Sequence, residues 1–517
     1  MLKSIIYHPI LLSIFPTLLV YSQNIHLVVL EGLLLPFVVI IAVASVMWII
    51  LYILLKNTTK SALLTSVYTV LFFTFGHLSS IFSDNLPQIP IFHLNIILGL
   101  FYGIIAVIFS VFIFKTNRLL NNASSIGNVM SLVLVLFLLI NIGMFTFQNQ
   151  SVLDENNSVP LSLSNIPENV PDVYYIIMDE YAPSKTLENV YDYDNSNFEK
   201  FLIQKGFFVA KNSHSNYAET FLALASTLNM KYANNLTEIV GSDSIDQSIP
   251  YSMINNNIVM KNFKNLGYEI YNFDSGWWGT RQLSIADENI CGKNQNLDFH
   301  ILYKLKQTSI LSLVDSSIKS PTMEFFHNEQ RDRINCQFEK ISKIKELGDK
   351  PIFVLMHVMA PHDPYVFGPN GESVDYEYTF GANALGDVQV LFDAKQAYLD
   401  QLSYISKLLQ KSVNEILSNN PNSVIIIQSD TGPFMPDDST LTDEQKEIGR
   451  MAIFNAYHFP ENTYHKIYDN ITPVNTFRII FNEFFESDLK ILDDQVFYST
   501  YDEPYLFREI IDTSLYP

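Results

Sequence analysis

Basic residues are scarce in this chain of 517 residues: Lys and Arg total 32 against 53 Asp and Glu, a formal charge of -21. Nucleic-acid backbones are gripped by clustered Lys and Arg, so the deficit excludes nucleic acid as a partner. Cysteine is scarcer still, with only Cys291 and Cys336. Their spacing matches no zinc motif, and outside the cytoplasm they either pair or stay free. Internal repeats and low-complexity tracts are absent, which excludes solenoid architectures. Carboxylates are almost missing from the first 150 residues. A mean hydropathy of +0.15 together with so negative a charge is explained by that segregation of greasy and acidic residues along the chain.

Five apolar stretches fill the carboxylate-poor part, at residues 8–21, 28–55, 62–82, 91–114 and 127–147. Four approach or exceed the roughly 20 residues that cross a bilayer, and the first is long enough when its interfacial flanks are counted. None shows a polar face at helical spacing, so a buried soluble core is the poorer explanation. Pro9 and Pro16 are tolerated in a membrane helix, and the lack of a small-residue cleavage site argues against a removed signal peptide. Lys3, Lys56, Lys60, Lys115 and Arg118 flank alternate loops, whereas YSQNIH and SDNLPQIP carry no Lys or Arg. The positive-inside rule therefore predicts a cytoplasmic N-terminus, and five spans put everything that follows on the outer side. Glu31 and His77 lie near the predicted interfaces, where headgroups solvate them.

The expected organisation is a transmembrane domain over residues 1–148, an Asn-, Ser- and Pro-rich linker over 149–170 and an extracytoplasmic domain over 171–517. In the last part, VYYIIMDE (173–180), FFVA (207–210), YEIYNFDS (268–275), PIFVLMHV (351–358) and VIIIQSD (424–430) read as short apolar strands. Helical patterns separate them, the clearest at residues 397–417, where Leu402, Ile405, Leu409, Val413 and Ile416 share one face. Continuous apolar strands alternating with amphipathic helices predict a mostly parallel sheet covered on both sides. Three strands end on groups that bind metals or protons: Asp179 with Glu180, His357, and Asp430. The ligand crevice of an open α/β sheet lies beyond the carboxyl ends of its strands, so these groups can converge there. Taken singly each is more often a helix cap than a ligand, and the coincidence across three strands is what favours the functional reading. Thr220, in SNYAETFLALASTLNM, stands where a short helix begins, a place that suits either a cap or a nucleophile facing an anionic substrate.

Taken with HVMAPHDPY and NAYHFP...PVNTFRIIFNEFF, these segments resemble the membrane-anchored, sulfatase-like branch of the alkaline phosphatase superfamily, to which lipoteichoic acid synthases and phosphoethanolamine transferases belong. The resemblance implies an N-terminal five-helix bundle followed by an α/β/α sandwich. It implies one divalent metal held by Asp179, Thr220 and Asp430, with Thr220 as nucleophile and His362 against the transferred group. His357 and Glu180 are supporting candidates, Trp278 and Arg281 fall where relatives contact substrate, and Arg478 reads as structural.

Two departures qualify that pattern. Where relatives carry Asp-His-Gly this chain reads Asp430-Thr431-Gly432, so a hydroxyl replaces an imidazole ligand. An all-oxygen set favours calcium, magnesium or manganese over zinc, unless His458 compensates. Sulfatases that use formylglycine carry x-Pro-x-Arg after a Cys or Ser, but Thr220 is followed by Phe221, Leu222 and Ala223. The expected chemistry is therefore transfer or hydrolysis of a phospho-group, from a phospholipid or lipid-linked donor to an envelope glycan or polymer. The alternatives are a catalytically silent protein that binds headgroups or glycans, which Thr431 would favour, and an assembly protein of the envelope.

Overall fold

The computed structural model describes residues 5–25, 30–85, 91–116, 120–155, 170–292, 299–315, 321–374, 394–435 and 440–513. Most of the expected linker, together with Lys3 and Arg118, lies outside the described residues. The chain divides into two compact units, Met1–Ser151 with Lys293–Met323, and Val152–Gly292 with Glu324–Pro517.

The first unit is helical: α1 (His8–Gln23), α2 (Leu34–Leu55), α3 (Thr58–Asn85), α4 (Ile91–Lys115) and α5 (Leu120–Glu155). Helices α2 to α5 are long and apolar enough to cross a membrane, whereas α1 has only 16 residues. Val39, Val43, Val46 and Ile50 of α2 point outward, an apolar surface of the kind hydrocarbon covers. Inside the unit the polar groups find one another. The Asn128 Oδ1 accepts from the backbone N–H groups of Tyr7 and His8, each at 3.1 Å, and its Nδ2 donates to the Ile5 carbonyl at 2.8 Å. This caps α1, whose first N–H groups have no partners within the helix. The His8 ring lies 2.6 Å from Ser66 Oγ and 3.2 Å from Ser124 Oγ, so α1, α3 and α5 are tied by side chains.

A short helix, Phe299–Thr308, belongs to this unit as well, although the sequence pattern assigned its residues to the outer domain. The Ile310 N–H donates to the Phe72 carbonyl, and Ile310 and Leu313 pack against Phe75, Leu94, Leu98 and Tyr102.

The second unit is built on a seven-stranded sheet: β1 (Val173–Met178), β2 (Phe208–Ala210), β3 (Glu269–Phe273), β4 (Glu288–Ile290), β5 (Ile352–Val358), β6 (Val424–Ser429) and β7 (Asn455–His458). The order is β2-β7-β6-β1-β5-β3-β4, with β6, β1, β5, β3 and β4 parallel and β7 antiparallel to both β6 and β2. The five expected strands are all present; β4 and β7 are additions, too short and too polar to stand out in the sequence.

Alternation divides the core into two. Val173, Tyr175, Ile177, Phe353, Leu355, Val424 and Ile426 face one layer, with α6 (Thr220–Asn229) among their neighbours. Tyr174, Ile176, Met178, Val354, Met356, Ile425 and Ile427 face the other, which includes α7 (Pro321–Lys340) and α8 (Ala394–Asn419). Continuous apolar runs are required because both faces are covered. Cys291, just after β4, is bonded to Cys336 of α7.

Candidate metal and nucleophile site

Strand register brings the site together. Ile177 is level with His357, and Met178 with Ser429. Counting by twos from the inward-facing residues Ile177, Leu355 and Ile426 reaches Asp179, His357 and Asp430, so one side of the sheet receives all three at its carboxyl edge. Ligand atoms of these three buried residues lie within 4.8 Å of one another. Because α6 packs on the same side, its first residue meets them, and Thr220 Oγ1 donates to Asp430 Oδ2 at 2.6 Å. Thr220 is therefore not a cap: Glu219 occupies the N-cap position, and the hydroxyl bonds across the sheet rather than to its own helix.

Two of these groups carry buried polar atoms without partners. Asp179 Oδ1 and His357 Nε2 have no hydrogen-bond partner, and neither has the buried Thr431 Oγ1. His357 Nε2 stands 3.6 Å from Asp179 Oδ2, while its Nδ1 lies 2.8 Å from Thr280 Oγ1. Thr280 Oγ1 lies in turn 2.8 Å from Ser275 Oγ, which accepts from the Trp277 N–H. With the ring proton on Nδ1, toward Thr280, Nε2 presents a lone pair beside a carboxylate. Buried, unpaired acceptors are costly unless a cation sits among them. A histidine whose distal N–H is held by a neighbour is also the usual form of a metal ligand. The residues present thus fit a divalent cation, and His357 offers an imidazole at the cluster where position 431 has a hydroxyl.

With His357 in the cluster the available donor atoms are both nitrogen and oxygen, and imidazole suits zinc. His458 does not compensate for Thr431: its Nδ1 lies 2.9 Å from the carbonyl of Ser423, which precedes β6, at the opposite edge of the sheet. The antiparallel course of β7 puts it there.

The charges are arranged unevenly. Burial pushes Asp179 up, but the positive charge of His362 first, then contact with His357 and the charge of Arg450, outweigh it and hold the carboxyl below its ordinary range. Asp430 is raised to about 6 by burial first and by the Asp179 charge second. Burial also raises Glu180, against the pull of His362 and Arg450, and lifts Glu219 to about 7. His362 is partly exposed, with Nε2 3.8 Å from Glu180 Oε1 and Nδ1 3.2 Å from Asp363 Oδ1. Burial would lower its pKa, yet the facing carboxylates of Glu180, Asp179 and Asp363 raise it well above 6.5. With Asp179 and Glu180 it forms a second group of ligand-type atoms.

Trp278 and Arg281 stack on each other, with the guanidinium 5.6 Å from the ring centre. The neighbouring Trp277, not Trp278, stands edge-on to the His357 ring at 5.6 Å. Arg478 spends its guanidinium on the carbonyls of Met230 and Lys490, a structural role. Sequence patterns did not reveal Thr280, Gln337 or Arg450. Gln337 donates to the carbonyls of His357 and Asp274 and so ties α7 to the ends of β5 and β3. Arg450, near the end of α9 (Asp443–Met451), bonds to Glu180 and to the carbonyls of Ala218 and Gly432. A lone Arg before the apolar run MAIF was the only sign of it.

A family model described as Sulfatase matches residues 171–479. Among solved structures, the C-terminal periplasmic domain of EptC from Escherichia coli in complex with zinc is similar at 11% identity and a TM-score of 0.42, covering 69% of this chain and 98% of that one. The integral membrane protein lipooligosaccharide phosphoethanolamine transferase A from Neisseria meningitidis is similar at 12% identity and a TM-score of 0.37, over 92% of this chain and 95% of that one. No curated protein matches.

Proposed function

The chain belongs to the sulfatase family, and from that premise we propose that it is a membrane-bound, metal-dependent transferase or hydrolase of phospho-groups that works through Thr220. The observation that carries this reading is the 2.6 Å bond from Thr220 Oγ1 to Asp430, made beside the unpartnered acceptors of Asp179 and His357. Asp179, Asp430, His357 and Thr220 would hold the cation. When bound, it supplies positive charge for a phosphoryl group and makes a hydroxyl proton easier to lose.

The chain's own groups account for the rest. Thr220 Oγ1 attacks phosphorus as its proton passes toward Asp430, the carboxylate already accepting it. The bond from phosphorus to the leaving alcohol breaks, and the leaving oxygen takes a proton from His362, whose charged form Glu180, Asp179 and Asp363 favour. An acceptor hydroxyl or water, giving its proton to His362, then attacks the phospho-threonine; the bond from phosphorus to Thr220 Oγ1 breaks, and Oγ1 takes its proton back from Asp430. Formylglycine chemistry is not proposed, because Thr220 is followed by Phe221-Leu222-Ala223. The four long apolar helices favour a lipid-linked or phospholipid donor in the membrane that holds the enzyme, with an envelope glycan or polymer as acceptor. We read the membrane as the cytoplasmic one and the catalytic unit as extracytoplasmic, since the loop charges and the Cys291–Cys336 bond favour that side.

The test is hydrolysis of a chromogenic phosphodiester by the full chain in detergent, with manganese, zinc, calcium or magnesium. We expect turnover that a chelator abolishes and that Thr220→Ala lowers by at least about a thousandfold, the scale on which loss of a nucleophile acts. Metal binding with no turnover under any condition would instead support the silent, headgroup-binding alternative.

A further inference from the structure

We infer that Arg450 is the positioning residue of the cation site, one guanidinium that pins the three chain segments on which the ligands are carried. This rests on Asp179, Thr220 and Asp430 being cation ligands. The side chain is buried at the end of α9. Its Nε donates to the Ala218 carbonyl, two residues before Thr220, at 3.2 Å. Its Nη1 donates to Glu180, next to Asp179, and to the carbonyl of Gly432, two residues after Asp430. The Phe434 ring lies 4.1 Å from the guanidinium and closes its open face. Each acceptor is thus within two residues of a different ligand.

The backbone repeats the tie. The Gly432 N–H donates to the Arg450 carbonyl at 2.8 Å. A Cβ at position 432 would stand 2.4 Å from the Gly449 carbonyl oxygen and 2.5 Å from that of Ala452, so only glycine lets this loop meet α9. The Met451 carbonyl accepts from Ser215, and Phe454 exchanges bonds with Tyr181 and Ser429. The strip from Arg450 to Phe454 therefore laces together the segments bearing Thr220, Asp179 and Asp430.

Two consequences follow for the site. Glu180 is spent on Arg450, which leaves Asp179 as the first-strand carboxylate for the cation. A fork-shaped guanidinium is also needed, because an ammonium presents its donors from a single point and cannot reach acceptors spread over three segments. Partners that hold metal ligands in place are typically worth about 10- to 100-fold in metal affinity.

The experiment is a manganese titration of the full chain in detergent, with free manganese followed by electron paramagnetic resonance, on the wild type, Arg450→Lys, Arg450→Met and Arg450→Gly. Thermal unfolding is measured alongside. We expect affinity to fall about 10-fold in Arg450→Lys and up to about 100-fold in Arg450→Met, and added guanidinium ion to restore it in Arg450→Gly. Affinity within twofold of wild type in folded Arg450→Lys and Arg450→Met, whatever their melting temperatures, would leave Arg450 a purely structural residue and overturn the inference. If Arg450→Met does not fold, Arg450→Lys and the guanidinium rescue decide between the same two outcomes. A wild type that binds no manganese would instead overturn the cation site itself and this inference with it.

Discussion

Replacing His357 by Phe separates a metal ligand from a core histidine. The residue is fully buried between Thr280 and Trp277, so a ring of similar size keeps the packing while deleting both nitrogens. Without metal, the chain loses one hydrogen bond, between Nδ1 and Thr280, worth about 1 kcal/mol. Thr280 still has Ser275 as a partner, so the larger penalty of a stranded hydroxyl is avoided. With metal, one of four donors is gone. Positioning residues alone cost about 10- to 100-fold in affinity, so a ligand should cost at least about 100-fold, or about 2.7 kcal/mol. At a manganese concentration of about 100 times the wild-type dissociation constant, ligand-induced stabilisation should be about 2.7 kcal/mol for the wild type and about 0.4 kcal/mol for the variant. The assay is thermal unfolding of the full chain in detergent, with and without manganese. A variant that keeps the whole manganese-induced shift would show that His357 is a satisfied core residue, and that the unpartnered Nε2 does not mark a cation site.

Three other substitutions test different layers of the structure. Gly432→Ala puts a Cβ against the carbonyls of Gly449 and Ala452; overpacking of that kind costs about 1–3 kcal/mol, and displacement of Asp430 should also weaken manganese binding in the titration. Phe263 is fully buried and stacks on Phe353 at 4.6 Å, so Phe263→Ala should cost about 3–5 kcal/mol in denaturant unfolding without altering the metal affinity of the folded protein. Burial lowers the pKa of His214 to about 4, outweighing its bond to the Asn212 carbonyl. The unfolded chain, with a His pKa of about 6.5, then takes up the extra proton as pH falls from 6.5 to 4. Stability from this group is complete above pH 6.5 and lost toward pH 4, so the unfolding temperature of His214→Gln should fall less than that of the wild type across that window.

The five strands that the sequence pattern predicted are in the sheet, and apolar runs such as VYYIIM and VIIIQS could be recognised because both faces of a covered sheet demand the same residue types. The site was legible for a related reason. Strand-terminal Asp179, His357 and Asp430 interrupt apolar runs where nothing in packing calls for a polar group, and Thr220 opens an apolar helix. What the pattern could not assign was the partner of each. Thr431 looked like the loss of an imidazole, and only the register of β1 beside β5 shows His357 standing at that cluster. His458 looked available as a substitute, and only the antiparallel direction of β7 puts it at the far edge of the sheet.

Local chemistry is written in the order of residues: hydropathy sets the membrane helices, alternation sets the strands, and a carboxylate at the end of an apolar run marks the crevice. Contacts between residues far apart in the chain are not. Arg450 reaches Glu180 across 270 positions and Ala218 across 232, and Cys291 meets Cys336 across 45. The residues from Lys293 to Met323 leave the sheet-bearing unit to join the apolar helices. The sequence by itself determined which side chains this protein could use for its chemistry. Which of them cluster, which guanidinium bonds to the neighbouring segments and which histidine is left at the opposite edge were decided by strand order and direction, because the free energy of those contacts depends on distances that exist only once the chain has folded.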